Sequence, residues 1–160
     1  MWVVKIDGTL AHDKVLKSWL KKISLLGGGR IIIVPGRWNG VDYISEMQSI
    51  WEFDNLIKHQ LLSVARAQYG LMLAALEPNL VPVESTQSIV NVLQGGDVAV
   101  WIPFYLTREY PDDLPSPQIS SDCLAAWLAM HMKAERLILV KNKSFSSDAG
   151  IKNYIDNDLL

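Results

Sequence analysis

Residues 30–40 read Arg-Ile-Ile-Ile-Val-Pro-Gly-Arg-Trp-Asn-Gly, RIIIVPGRWNG. Successive strand side chains point to opposite faces, so an apolar run with no polar alternate describes a strand covered on both sides. Strands of that kind belong to parallel sheets flanked by helices. Pro35-Gly36 stops the run, because proline removes a ladder donor and glycine admits a tight turn.

Working outward from this strand, the same reading recurs. Residues 2–6 (WVVKI), 97–102 (DVAVWI) and 136–140 (RLILV) are apolar strands, the last one read as buried. Residues 80–83 (LVPV) form a weaker strand because of Pro82. Between them lie helical patterns. Val15, Leu16, Trp19, Leu20, Ile23 and Leu26 fall on one face, with lysines 14, 17, 21 and 22 opposite, and the glycines 27–29 end that helix. Residues 41–51, 54–77 and 86–94 also read as helices, and Ser120-Ser121-Asp122 caps another that runs to about Met132. The helix over 54–77 is apolar nearly all round, which predicts burial or an interface. Residues 103–118 hold four of the seven prolines and are expected to form an ordered loop. Alternating strands and helices predict an α/β fold, a three-layer αβα sandwich on a mostly parallel sheet. The expected division is one domain over 1–145 and a polar tail over 146–160.

The totals exclude several functions. The chain has 160 residues, a net charge of −2, one cysteine and six tryptophans. The charge leaves no basic footprint for nucleic acid or an anionic membrane surface. Cys123 alone builds neither a disulfide framework nor a multi-cysteine metal site. His12, His59 and His131 form no ligand pair, so no protein metal site is expected. No secretory signal is visible and the longest helix is too polar to span a bilayer, which predicts a cytoplasmic protein.

In parallel sheets, ligands sit beyond the carboxyl ends of the strands. Three loops there could hold an anion. Asp7-Gly8-Thr9 follows the first strand beside Lys5, and reads either as an ordinary turn or as a phosphate loop. Gly36, Arg37, Trp38 and Asn39 follow the second: a fork for an anion and a ring for stacking, or a solvent-exposed turn. Ser121 and Asp122 open a helix whose N-terminus favours anions, or they simply cap it. The first loop also resembles the Asp-x-Asp-Gly-Thr-Leu opening of a class of phosphatases. Lys5 stands where the nucleophilic aspartate would be and cannot accept a phosphoryl group.

Taken in order, three segments resemble the amino acid kinase family. VVKIDGTL resembles its VVKxGGSL opening, IIIVPGRWNGVD its strand followed by PGGG, and ISSDCLAAWLAMHMKAERLILVKN its xTSDxxAAxLAxxLxAxxLIxxTDVDG segment. Within the family, the Pro-rich loop before SSD resembles the branch that phosphorylates 5-(aminomethyl)-3-furanmethanol phosphate in methanofuran-type cofactor synthesis. The resemblance implies catalytic roles for Lys5, which contacts the transferred phosphate, and Asp122, which orients it. It implies that the loops at Gly8 and Gly36 hold the γ-phosphate and the acceptor. With the loop readings above, the expected phosphate or nucleotide site is Asp7, Gly8, Thr9 and Ser121, and the expected substrate site is Gly36, Arg37, Trp38 and Asn39. ATP and Mg²⁺ are implied if the chain is active, and no cofactor otherwise.

Four departures accompany it. Asp7 replaces the first glycine of the GG pair, and Arg37-Trp38 fills the PGGG loop. Lys141-Asn142-Lys143-Ser144-Phe145 replaces TDVDG, and the chain stops about where the family's nucleotide-binding half begins. Two functions are therefore expected. One is a degenerate member that binds a small anion or phosphorylated metabolite, or acts as a subunit in C1-cofactor metabolism. The other is an ATP-dependent phosphotransferase on such a metabolite. A homodimer through the 41–77 region is implied as well.

Overall fold

Ile31–Pro35, the quoted strand, is buried at every position (β2). It is flanked in parallel by Trp2–Ile6 (β1) on one side and Val98–Trp101 (β4) on the other. The computed structural model describes residues 1–38, 40–102 and 120–142. Within them a five-stranded, all-parallel sheet runs β3-β4-β2-β1-β5, where β3 is Leu80–Val83 and β5 is Arg136–Val140. β3 lies at one edge, the position where Pro82 costs no ladder bond.

Helices cover both faces, giving the three-layer αβα sandwich expected. Val15–Gly27 (α1) and Asn55–Ala75 (α3) bury Leu16, Leu20, Tyr69 and Leu73 against Val4, Ile6, Ile31 and Ile33. Thr86–Gln94 (α4) and Ser121–His131 (α5) bury Ile89, Leu124 and Leu128 against Val3, Ile32, Val34 and Trp101. Gly40–Trp51 (α2) packs on α3. Alternation along β1 therefore sends Val4 and Ile6 to the α1/α3 face, and Val3 and Lys5 to the α5 face.

One reading changes, and two features are added. Residues 136–140 are not a buried strand: among the described residues β5 is an edge strand paired with β1 alone, and Leu137 and Ile138 are 39% and 37% exposed. A short 3-10 helix, Gly8–His12, separates β1 from α1. Helix α3 is neither wholly buried nor amphipathic in the ordinary sense: Tyr69 and Leu73 are fully buried while Leu56 is 65% and Leu71 53% exposed. The Pro-rich loop over 103–118 and the tail over 146–160 lie outside the described residues. Among the described residues, no helix is long and apolar enough to cross a membrane.

Candidate functional site

The carboxyl ends of β1, β2 and β5 are drawn together by backbone bonds. Gly36 N–H donates to the Ile6 carbonyl (2.8 Å), and Asp7 N–H donates to the Val140 carbonyl (3.0 Å). The Tyr69 hydroxyl donates to the Asp7 carbonyl from α3 (3.0 Å). Two glycines make this approach possible. A Cβ on Gly8 would lie 1.5 Å from the Arg37 carbonyl oxygen, and one on Gly36 would lie 2.5 Å from that of Ile6. The sequence reading gave these glycines the task of admitting a phosphate. In the structure they admit each other's loops.

At this edge Lys5 is only 3% exposed. A lysine is buried that deeply only when paired. Its Nζ lies 3.0 Å from Asp122 Oδ1 and 3.2 Å from Asp7 Oδ2. Asp122 stands in the first turn of α5, where the helix dipole favours a carboxylate. The Ser120 Oγ caps that turn by accepting from the Cys123 N–H (3.1 Å). Ser121 is buried beside it. The other oxygen of Asp122, Oδ2, accepts from Lys141 Nζ at 2.6 Å. Lys141 directly follows β5, and its side chain is 8% exposed. Two lysines and two carboxylates thus form one chain, Lys141–Asp122–Lys5–Asp7.

Asp7 also caps the 3-10 helix. Its Oδ1 accepts from the Thr9 N–H and from Thr9 Oγ1, each at 3.0 Å. Burial pushes the Asp7 carboxyl up, but the Thr9 amide, the Lys5 charge and the Thr9 hydroxyl together hold it below the ordinary carboxylate value. The Thr9 amide, expected to face a ligand phosphate, is therefore engaged by the protein's own carboxylate.

The second loop divides. Gly36 is packed into the edge, whereas Arg37 is 61% exposed and pairs with Asp42 in the first turn of α2. Trp38 stacks on Tyr69, with centroids 6.2 Å apart, and its buried Nε1 has no hydrogen-bond partner. Asn39 lies outside the described residues. Lys5, Asp7, Gly8, Thr9, Gly36, Ser121 and Asp122 thus gather at one edge, with Arg37 turned away from it toward solvent.

Sequence reasoning missed three residues here. Lys141 falls among the residues after a strand that the sheet rule singles out, as the sequence reading held, but that reading gave it no role beyond the loss of an acidic motif. Tyr69 and Arg66 lie within α3, where a helix apolar on all sides hides which side chains face the sheet. Arg66 is 5% exposed; burial, then the nearby Arg37 charge, draw its pKa from 12.5 to about 10, so it remains charged at neutral pH. Burial, then the Asp7 charge, push the Tyr69 phenol up, so it stays a donor. His131 stacks on Trp127 at 5.1 Å, and Cys123 is an exposed thiol.

The donor set does not fit a divalent cation held by the chain. Among the described residues no three His, Cys, Asp or Glu side chains gather to ligate one. The carboxylate oxygens of this edge already face Lys5, Lys141 and Thr9.

A family model described as the amino acid kinase family matches residues 1–152. No curated protein matches the sequence. Among solved structures, uridylate kinase from Archaeoglobus fulgidus is 15% identical with a TM-score of 0.68, over 94% of this chain and 68% of that one. UMP kinase from Bacillus anthracis is 14% identical with a TM-score of 0.64, over 94% and 68%. At such identity the likeness is one of fold.

Proposed function

The chain belongs to the amino acid kinase family, and we propose on that premise that it binds a small phosphoryl-bearing anion at Lys5 without transferring the phosphoryl group. One observation carries the reading: an ammonium only 3% exposed is fixed by Asp122 at the ligand-binding edge of a parallel sheet. Fixing an ammonium there gives an anion a point charge in a poorly solvated place. Transfer asks more, because donors must face the charge that develops on the moving group. Here Asp7 sets a carboxylate 3.2 Å from that same ammonium, where it repels such charge.

The second reading is an active ATP-dependent phosphotransferase. Asp122 favours it, since it orients Lys5 as the family resemblance implies. Candidate ligands are UMP, the substrate named for the uridylate kinase neighbours, and 5-(aminomethyl)-3-furanmethanol phosphate, which would place the protein in C1-cofactor metabolism. The exposed Tyr43, Ile50, Trp51 and Leu56 of α2 and α3 support a homodimer through this region.

Calorimetry with inorganic phosphate, Mg-ATP and the two metabolites tests the reading, with Lys5→Ala as control. Heat with at least one anion, lost in Lys5→Ala, is the expected result. Turnover of Mg-ATP with either metabolite would favour the second reading. Binding that survives in Lys5→Ala removes this site from consideration.

A further inference from the structure

Asp122 is shared between two ammonium groups, and the second has no role in the reading above. Lys141 leaves β5 on the same face as Leu139, and hence as Lys5, its neighbour in the β1–β5 register. That places both lysines on the α5 side, one on each oxygen of Asp122, at 3.0 and 2.6 Å. All four groups are shielded, with side-chain exposures of 3% for Lys5, 8% for Lys141, 13% for Asp122 and 21% for Asp7.

Charge counting gives Lys141 a purpose. With it, the cluster holds two positive and two negative charges. Without it, Lys5 would stand alone between two carboxylates, and the net negative charge would repel an anion arriving at Lys5. A divalent cation could restore the balance, but the carboxylate oxygens are already engaged by the lysines and by Thr9. Asp7 and Lys141 are also two of the chain's departures from the family pattern. They meet in one cluster with opposite sign.

We infer that Lys141 is a positioning residue and a built-in counter-cation. It holds Asp122 on Lys5 and offsets Asp7, so that a phosphoryl anion binds at Lys5 without a divalent cation. The inference rests on the anion-binding reading.

Inorganic phosphate is the probe, titrated calorimetrically with Mg²⁺ or with a chelator. The wild-type affinity is expected to differ by less than about threefold between the two conditions. Lys141→Met is expected to bind about tenfold more weakly in chelator, the scale of one charge-assisted hydrogen bond, and to recover most of that loss in Mg²⁺. Lys141→Arg keeps the charge and is expected to stay within about threefold of wild type in chelator. A purely structural role for Lys141 would change melting temperature without creating Mg²⁺ dependence. If Lys141→Met does not fold, Lys141→Met with Asp122→Asn leaves one lysine and one carboxylate, and its phosphate binding should again be indifferent to Mg²⁺. Dependence on Mg²⁺ in the wild type, or in that double variant, overturns the inference. So does a folded Lys141→Met that matches wild type in chelator. These results leave the anion-binding reading standing. A wild-type protein that binds no phosphate under either condition removes that reading, and the inference with it.

Discussion

Two adjacent strand ends carry a cation against a carboxylate, and they differ in almost every physical respect. At the end of β1, Lys5 is 3% exposed and lies between Asp7 and Asp122. At the end of β2, Arg37 is 61% exposed and pairs with Asp42, itself 69% exposed. The two loops touch, since the Gly8 backbone packs on the Arg37 carbonyl. Distance from the sheet edge therefore does not separate them; solvation does. Water screens the second pair and leaves the first to the protein. Local sequence is similar in both places, a basic residue within three positions of a glycine at the end of an apolar strand. Each has a helix start beside it: α5 brings Asp122, 13% exposed, onto Lys5, whereas α2 brings Asp42, 69% exposed, to Arg37.

The sharpest way to break this contrast is Asp122→Ala. Removing it takes the Asp122 carboxylate from two shielded ammonium groups at once, and the expected loss is about 3 kcal/mol or more, the scale for breaking a buried ion pair from one side. Urea unfolding measures it directly, through the midpoint at constant slope. A loss no larger than that of an exposed pair would show that burial does not distinguish the two strand ends.

Acid titration sharpens the same contrast with a smaller effect. The Asp7 carboxyl is held below its ordinary value of 3.8. A depressed carboxylate contributes stability that is fully present above the unfolded value and is lost as pH falls through the folded one. Stability should therefore decline below about pH 3.8 with Asp7 in place, and Asp7→Asn should flatten that part of the acid limb. Thermal melts across the acid range read the difference. An unchanged limb in Asp7→Asn would assign the decline to other carboxylates.

How much of this was legible beforehand follows from what each residue's neighbours in sequence could say. β1 and β5 fall on the expected residues because an apolar run of β-branched side chains needs no partner to be recognised. The exposure of β5 was hidden, because the same run serves a central or an edge strand, and only the pairing order, in which β5 stands at the end among the described residues, decides. Lys5, Asp7 and Asp122 were legible because they end a strand or open a helix. Their gathering at one edge followed from the parallel-sheet rule, while the pairing of Asp122 with Lys5 came from the family pattern, Asp7 and Asp122 being far apart in sequence. The position of Lys141 at a strand end was legible, but its role was not, since replacing an acidic motif looks like loss until the lysine is seen on Asp122. Tyr69 could not be found at all. In a helix apolar all round, periodicity names no face, so a hydroxyl that binds the Asp7 carbonyl looks like any core ring.

Arg37→Ala carries the smallest expected effect and completes the contrast. The sequence offered Arg37 as a fork for the ligand. Its exposure and its pairing with Asp42 describe a solvated surface pair instead. Such pairs hold two long side chains in one geometry against water and salt, and contribute from nothing to about 1 kcal/mol. Arg37→Ala should therefore change stability by less than about 0.5 kcal/mol. It should also leave phosphate affinity in chelator within about twofold, since a solvated charge at the rim is largely screened. The same calorimetric titration that examines Lys5 reads both outcomes when melting temperatures are recorded alongside. If Arg37→Ala weakens phosphate as strongly as Lys5→Ala, the arginine must swing onto the ligand when it binds. The second loop would then belong to the site as fully as the first, and solvation in the unbound protein would no longer tell the two strand ends apart.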